Sequence, residues 1–454
     1  MNEEFEKNID ILNDFIAGRN DGEISATELA KILKNIKKND EALFFQYLEK
    51  IPSDILGEIV LELPDRFLKE IIENVPRNSL KEAIEELESD DATDLIQDIE
   101  DVDSEQAKEI LSFLDKEDQE EIKKLKRYDE EQAGAYMQTE LFTATYDECI
   151  QDALDRLKEE KKEGDLENIH QTFIIDTLGR LMFTIILEDL ILFDFNKTFR
   201  EELKDKEDEF QPKYVQDTDE IDEIVHIVEN YDLTSLPVVD SNHKLLGRIT
   251  SDDIHDFVQE RATEQIYGLA GVDDEAEHEE NITEAGKSRA SWLFVNLLTA
   301  ILASIVIGLF DKTLQSYVAL AVLMPIVASM GGNAGTQTLT IMVRQLALGE
   351  VDFQNAKEAL WKELILSGVN GLLFGVIMGL IAFFWFKDWR LGLIIASSMQ
   401  INLLLAGLVG AGIPLLLKRV GIDPAIGSTV ILTTFTDVVG FFSFLGLASI
   451  FLIK

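Results

Sequence analysis

Five stretches without a lysine or arginine dominate the C-terminal third of the chain: Ser291 to Phe310, Tyr317 to Val343, Leu364 to Phe386, Leu391 to Leu417, and Ala425 to Ile453. Each reaches the roughly 20 residues that an α-helix needs to cross a bilayer core. Water is absent there, so every backbone N–H and C=O must be satisfied within the segment, and apolar runs of this length resolve as helices. Residues 291–454 are therefore expected to form an α-helical transmembrane domain with five spans in a cell membrane. With the N-terminus inside, the inner flanks carry Lys287, Arg289, Arg344, Lys357, Lys362, Lys418 and Arg419, and the outer flanks only Lys312, Lys387, Arg390 and Lys454. That bias predicts cytoplasmic N-terminal domains and, with an odd number of spans, a C-terminus outside.

Asp437, near the middle of the last stretch in ILTTFTDVVGFFSFLG, is the only acidic or basic residue within these five segments. A carboxylate at that depth costs about 2.5–3.5 kcal/mol on insertion scales, so it is expected to face water or a cation rather than lipid. The second stretch contains MPIVASMGGNAGTQT, in which Pro325, Gly331, Gly332 and Gly335 weaken a helix while Asn333, Thr336, Gln337 and Thr338 supply polar groups. The expectation is a broken span. It exposes carbonyls to an ion path, brings helices close through small residues, or does both. All five histidines precede the membrane and the spans hold no cysteine, which leaves oxygen ligands and hence a hard cation. Magnesium, calcium and manganese all remain open on this ground.

The soluble part is strongly acidic. Of the formal net charge of −45, residues 291–454 contribute almost nothing, with 8 acidic and 9 basic residues. A body so charged repels nucleic-acid phosphates and gathers counter-cations wherever carboxylates converge, so no nucleic-acid partner is expected. The single Cys149 rules out an internal disulfide and a cysteine zinc cluster, and MNEEFEKNID lacks the features of a cleavable secretory signal.

From Ile51 to about Leu114 the sequence repeats every twelve residues, as Pro52, Pro64 and Pro76 show. Apolar columns keep the step: Leu56, Leu68, Leu80 and Ala92; Ile59, Ile71, Ala83, Leu95 and Ala107; Leu63, Val75, Leu87, Ile99 and Leu111. Within each unit the spacing is helical, with the proline in the first turn, so residues 1–132 are expected to form an all-α superhelical domain of short stacked helices. Residues 133–258 change rhythm. Glu220 to Tyr231 reads as a helix, SLPVVD and LLGRIT as strands, SDDIHDFV as a helix, and QTFIID–RLMFTIIL–EDLILF repeats this about sixty-four residues earlier.

LPVVDSNHKLLGRITSDDI resembles the most characteristic stretch of CBS domains, which implies a tandem α/β pair at 133–200 and 201–258. Gly247, Thr250 and Asp253 of the second copy match that family's nucleotide-contact pattern, so ATP is an implied ligand held through a hydroxyl and a carboxylate. The first copy has Phe183, Ile186 and Asp189 at those positions. An acidic helical connector, residues 259–290, leads to the membrane.

Taken together, the helical repeat, the CBS pair, the connector and the five spans, with PIVASMGGNAGTQ, GIDPA and TDVVGFFSFLG, resemble the MgtE-type magnesium transporters. The resemblance implies a homodimeric channel for Mg2+ influx with Asp437 of each subunit facing the ion. It also implies that cytosolic Mg2+ closes the pore through carboxylates, here Asp91, Asp94, Asp252, Glu260, Glu264 and Asp423. Two other readings stay open: an ion-coupled carrier for another divalent cation such as Co2+ or Mn2+, and a non-transporting CBS-type membrane sensor. No HExxH cluster supports an intramembrane protease, so no enzyme is expected.

Overall fold

The structure, a computed structural model, describes residues 2–19, 24–163, 166, 168–272, 282–353 and 355–453. The chain divides into two compact units, Met1–Gln259 and Glu260–Lys454.

Among the described residues the first unit opens with nine helices: α1 (Asn2–Ile16), α2 (Ala26–Asn39), α3 (Glu41–Leu48), α4 (Ser53–Leu61), α5 (Asp65–Asn74), α6 (Arg77–Glu85), α7 (Ser89–Val102), α8 (Ser104–Phe113) and α9 (Lys116–Leu125). From α4 onward each helix packs on the one two places further along, α4 on α6 on α8 and α5 on α7 on α9, which makes the expected superhelix. Pro52, Pro64 and Pro76 stand one position before each first turn, at the N-caps, where a fixed φ near −58° turns the chain into the next helix.

The repeat does not keep its register to the end. Because α7 is longer, with 14 residues, α8 begins three residues late. Ala107 then occupies the fourth helical position, in the column of Leu56, and Ile110 and Leu114 fill the two deeper columns. Leu111, expected in the third column, is only partly buried.

Two copies of one α/β module follow. In the first, β1 (Thr143–Thr145) runs parallel to β2 (Gln171–Ile175), which pairs antiparallel with β3 (Leu181–Ile186). In the second, β4 (Val215–Gln216), β5 (Ser235–Val239) and β6 (Leu245–Thr250) repeat that topology. Between the strands lie α10 (Ile150–Glu163), α11 (Leu187–Leu190), α12 (Phe199–Leu203) and α13 (Ile221–Tyr231). The duplication extends to backbone irregularities. Register shifts at Ile174/Ile175 and Val238/Val239 correspond, as do the positive-φ pairs Asn168 with Asp232 and Gly179 with His243. The two hairpin turns also exchange main-chain bonds, Leu181 N to His243 O and Leu245 N to Gly179 O, each 3.0 Å.

Helix α14 (Ser251–Ala270) follows β6 directly and runs past the division between the units. The connector expected over 259–290 is helical to Ala270, turns at Gly271 (φ +68°), and at residues 273–281 lies outside the described residues.

The second unit contains α15 (Ile282–Gly308), a short α16 (Asp311–Ser316), α17 (Val318–Ala347), α18 (Ala356–Phe386), α19 (Trp389–Arg419) and α20 (Ser428–Leu452). The five long helices are apolar and long enough to cross a membrane, in the places the sequence assigns. Helix α19 is central, packed on α17, α18 and α20, while α15 packs on α20. The second span is not broken: α17 is one helix of 30 residues with Pro325 and all its glycines inside it. Glycine and proline weaken helices in water, where an open backbone finds other partners. In lipid the helix is the only arrangement that satisfies the chain, so the same residues are carried within it.

Candidate functional site

The glycines of α17 explain how its polar run is accommodated. Gly331 and Gly335 are buried against neighbouring helices. A Cβ on Gly331 would collide with Asn402 of α19, and one on Gly335 would stand 2.7 Å from Leu432 Cδ1 of α20. Gly410 of α19 comes equally close, its Cβ position lying 2.7 Å from Gly335 O. Of the two roles left open for this run, close helix approach is the one these glycines serve. Gly332 meets nothing within 4 Å. Pro325, Ser329, Asn333, Gln337 and Thr340 share the opposite face, exposed in this chain. A polar stripe of this length is costly against hydrocarbon.

Asp437 lies on α20 between two contacts with neighbouring helices, Leu432 against Gly335 and Gly440 against Asn402. It is half-buried, and among the described residues its carboxylate has neither an ion pair nor a hydrogen bond. The nearby hydroxyls are turned to their own helix: Thr433 and Thr434 donate to Val430 O, and Thr436 to Thr433 O. The Asp437 carboxylate is thus the free acceptor of that stretch, and as a hard oxygen donor it suits a hydrated divalent cation.

A second membrane carboxylate escaped the sequence reading. Glu363, on α18 and 8% exposed, accepts a hydrogen bond from Thr338 Oγ1 of α17 at 3.0 Å. It stands one residue before the third lysine-free stretch, beside Lys362, and so reads as part of a charged flank.

Near the start of α20, Asp423 Oδ1 accepts from Ala425 N at 2.6 Å, shaping the turn of GIDPA. The end of α14 packs on that turn: Thr429 Oγ1 donates to Leu269 O at 2.7 Å, and the Cβ position of Gly268 lies 3.2 Å from Ala425 Cβ. Glu260 is exposed on α14, and Glu264 lies 3.6 Å from Arg261. The three carboxylates Glu260, Glu264 and Asp423 are not gathered into one cluster among the described residues.

In the first unit, the N-terminus of α7 is clamped by Glu140, which accepts from Ser89 N and Ser89 Oγ, both at 3.1 Å. This clamp sets carboxylates of the helical domain beside those opening α14. Asp90 is 5% exposed, and burial first, then Asp253 and Asp91, pushes its carboxyl well above the usual range. Burial, with Asp253, Glu58, Asp252 and Asp256 behind it, lifts Asp91 to about 7. Glu88 is also lifted to about 7 by burial, against the opposing pull of Arg248, whose Nη2 is 3.7 Å away and too distant for a hydrogen bond. Asp253 rises to about 6, again through burial, although hydrogen bonds from Thr250 hold it down.

Of the expected regulatory residues, Asp91 and Asp252 meet here, while Asp94 is exposed one turn along α7. Glu88, Asp90, Glu58 and Asp256 were missed, although Asp90 adjoins Asp91 in SDDATD. Among the described residues no three His, Cys, Asp or Glu side chains are already disposed as a metal site. The donor set is nonetheless all carboxylate and suits Mg2+.

Thr250 and Asp253, expected at a nucleotide, bond to each other: Asp253 accepts from both the Thr250 N–H and its hydroxyl. Thr250 also lines a cavity of about 480 Å3 with Gln138, Asn168, His170, Asp252 and His255; Asp253 does not.

Comparison with known proteins places these elements. Family models match residues 24–131 as an MgtE intracellular N domain, 209–260 as a CBS domain and 324–447 as a divalent cation transporter. The magnesium transporter MgtE of Thermus thermophilus is 31% identical over 336 residues, covering 73% of this chain and 72% of that one. The magnesium transporter MgtE of Enterococcus faecalis is 30% identical over 331 residues, covering 73% and 71%. Among solved structures, the cytosolic domain of the Mg2+ channel MgtE in complex with ATP matches with a TM-score of 0.47 at 27% identity, over 52% of this chain and 91% of that domain. With helical repeat, CBS module and five membrane helices in this order, the chain belongs to the MgtE family of transporters.

Proposed function

We propose that this protein is a magnesium-selective channel that admits Mg2+ to the cytoplasm and is closed by cytosolic Mg2+. The observation that carries the reading is Asp437, a carboxylate without a partner among the described residues, at the middle of a membrane helix in a chain whose relatives are named magnesium transporters. Mg2+ sheds water reluctantly, so a single carboxylate per subunit would hold it through its hydration shell. The exposed stripe Ser329, Asn333, Gln337 and Thr340 supports a homodimer in which a second copy covers this face and completes a water-filled path. On this reading the N-terminal domains are cytoplasmic and the C-terminus is outside.

Closure follows from charge. Glu88, Asp90, Asp91, Asp252 and Asp253 repel one another when ionised, and Mg2+ between them would hold α7 against α14. Loss of the ion would release α14, whose far end packs on the turn that starts the Asp437 helix. Glu260, Glu264, Asp423 and Asp94 are the further candidates of this sensor. ATP is proposed for the cavity beside Thr250, with Thr250 rather than Asp253 lining it.

The test is Mg2+ influx into liposomes carrying the purified protein, at several internal Mg2+ concentrations. Asp437→Ala and Asp437→Asn are expected to abolish flux, and high internal Mg2+ to suppress it in the native protein. Undiminished flux through folded Asp437→Ala would remove the pore assignment. Flux that vanishes when proton and sodium gradients are collapsed would make the protein a coupled carrier instead.

A further inference from the structure

Asn402 is a polar side chain that the ion-path reading leaves unused. It stands midway along α19, 0% exposed, among membrane helices. Its Nδ2 donates to Val327 O of α17 at 2.9 Å, and its Oδ1 is buried with no partner among the described residues. Two glycines make room for it. A Cβ on Gly331 of α17 would collide with its Nδ2, and one on Gly440 of α20 would lie 2.7 Å from the same atom. The side chain thus fills the junction of three helices. One of them carries the polar run, and another carries Asp437 three residues before Gly440.

An amide in this place is costly, because its unpaired oxygen loses hydration without compensation. A leucine would fill similar space at no such cost. The carbonyl it contacts is also the one to which Gly331 N–H is directed in a regular helix, and a carbonyl oxygen has a second lone pair to receive a second donor. The bond therefore ties α17 to α19 without opening α17.

We propose that Asn402 is a positioning residue for ion passage: its amide, seated between Gly331 and Gly440, fixes the α17 polar face relative to Asp437. The assignment rests on the reading of Asp437 as the ion-facing group. Asn402 touches no ion. It sets the spacing and rotation of the helices that do, so its loss would alter which hydrated cation fits rather than merely how much protein folds.

The test compares Asn402→Leu and Asn402→Ala with the native protein in liposomes, measuring maximal Mg2+ flux, the half-saturating Mg2+ concentration and the Mg2+ to Ca2+ flux ratio. Melting temperature in detergent selects folded variants. Expected is a drop in maximal Mg2+ flux of about tenfold or more, on the scale by which a misplaced group slows a reaction, with a changed Mg2+ to Ca2+ ratio. Gly331→Ala should reproduce it, and Gly331→Ala/Asn402→Ala, which returns the room but not the amide, should not restore the ratio. Native flux and ratio in either folded Asn402 variant, or full restoration in the double variant, would overturn the proposal by reducing Asn402 to a space-filler. Asp437→Ala measured alongside separates the two readings: if it abolishes flux while folded Asn402→Leu is unchanged, only the positioning role fails.

Discussion

The carboxylates between α7 and α14 make an inverted pH dependence the sharpest expectation. Asp91 is lifted from 3.8 to about 7, chiefly by burial, and Glu88 reaches about 7 for the same reason. The packed arrangement therefore retains protons that a loosened chain releases, and its stability falls as pH rises from the ordinary carboxylate range to about 7. For Asp91 alone the penalty that builds up by pH 7 is on the order of 4 kcal/mol, of which the last part, separating pH 6 from pH 8, is about 1.4 kcal/mol. On a unit of this size that last part corresponds to a melting shift on the order of 3–6 °C. Without divalent cations, full-length protein should thus show greater hydrogen-exchange protection in α7 and the start of α14 at pH 6 than at pH 8, opposite to ordinary acid loosening. Mg2+ should restore protection at pH 8 and add little at pH 6, where protons already relieve the repulsion. Asp90→Asn, which removes the most buried of these charges at nearly constant volume, should flatten both dependences. Protection that is equal at the two pH values without Mg2+, or an Mg2+ effect as large at pH 6 as at pH 8, would refute this account.

Other expectations concern packing. Gly410→Ala would drive a Cβ toward the Gly335 carbonyl, a backbone atom unable to move aside, and should lower the melting temperature in detergent; Gly412→Ala, with nothing within 4 Å, should leave it unchanged. Thr338→Val should leave a buried oxygen of Glu363 without its donor at a cost of about 1–3 kcal/mol, while Glu363→Gln, which retains an acceptor, should lose less in the same melting assay. Ile59→Ala, in the fully buried column of the superhelix, should cost about 2–5 kcal/mol in chemical denaturation followed on the first unit. Thr429→Val removes the bond to Leu269 O, and if the α14 end transmits closure, flux at high internal Mg2+ should rise.

What the sequence disclosed and what it hid divide along physical lines. Periodic burial is written in the residues themselves, so the five spans, the twelve-residue columns as far as Ile99 and the duplicated strand pair were all readable. The extra length of α7 was not, because one added turn leaves the local apolar spacing intact while moving everything beyond Val102. Asp437 was conspicuous as a charge among apolar neighbours. Glu363 hid in a charged flank, and Asn402, neutral and one of several polar residues in SSMQIN, gives no signal until Gly331 and Gly440 are seen on either side of it. The break expected in α17 is absent because helix propensities describe a chain in water, whereas lipid offers the backbone no alternative. Asp90 was hidden by abundance: in so acidic a chain, only packing distinguishes one carboxylate from the next.

The reciprocal bonds between the turns at Gly179 and His243 carry a consequence for how such a chain can change over time. They are made by main-chain atoms, so substitution of side chains on either module leaves them intact. The two copies accordingly differ in side chains while staying joined: Phe183 and Ile186 stand in the first at the positions that Gly247 and Thr250 hold in the second. A duplicated module fastened through its backbone is a scaffold on which one half can drift and the other specialise.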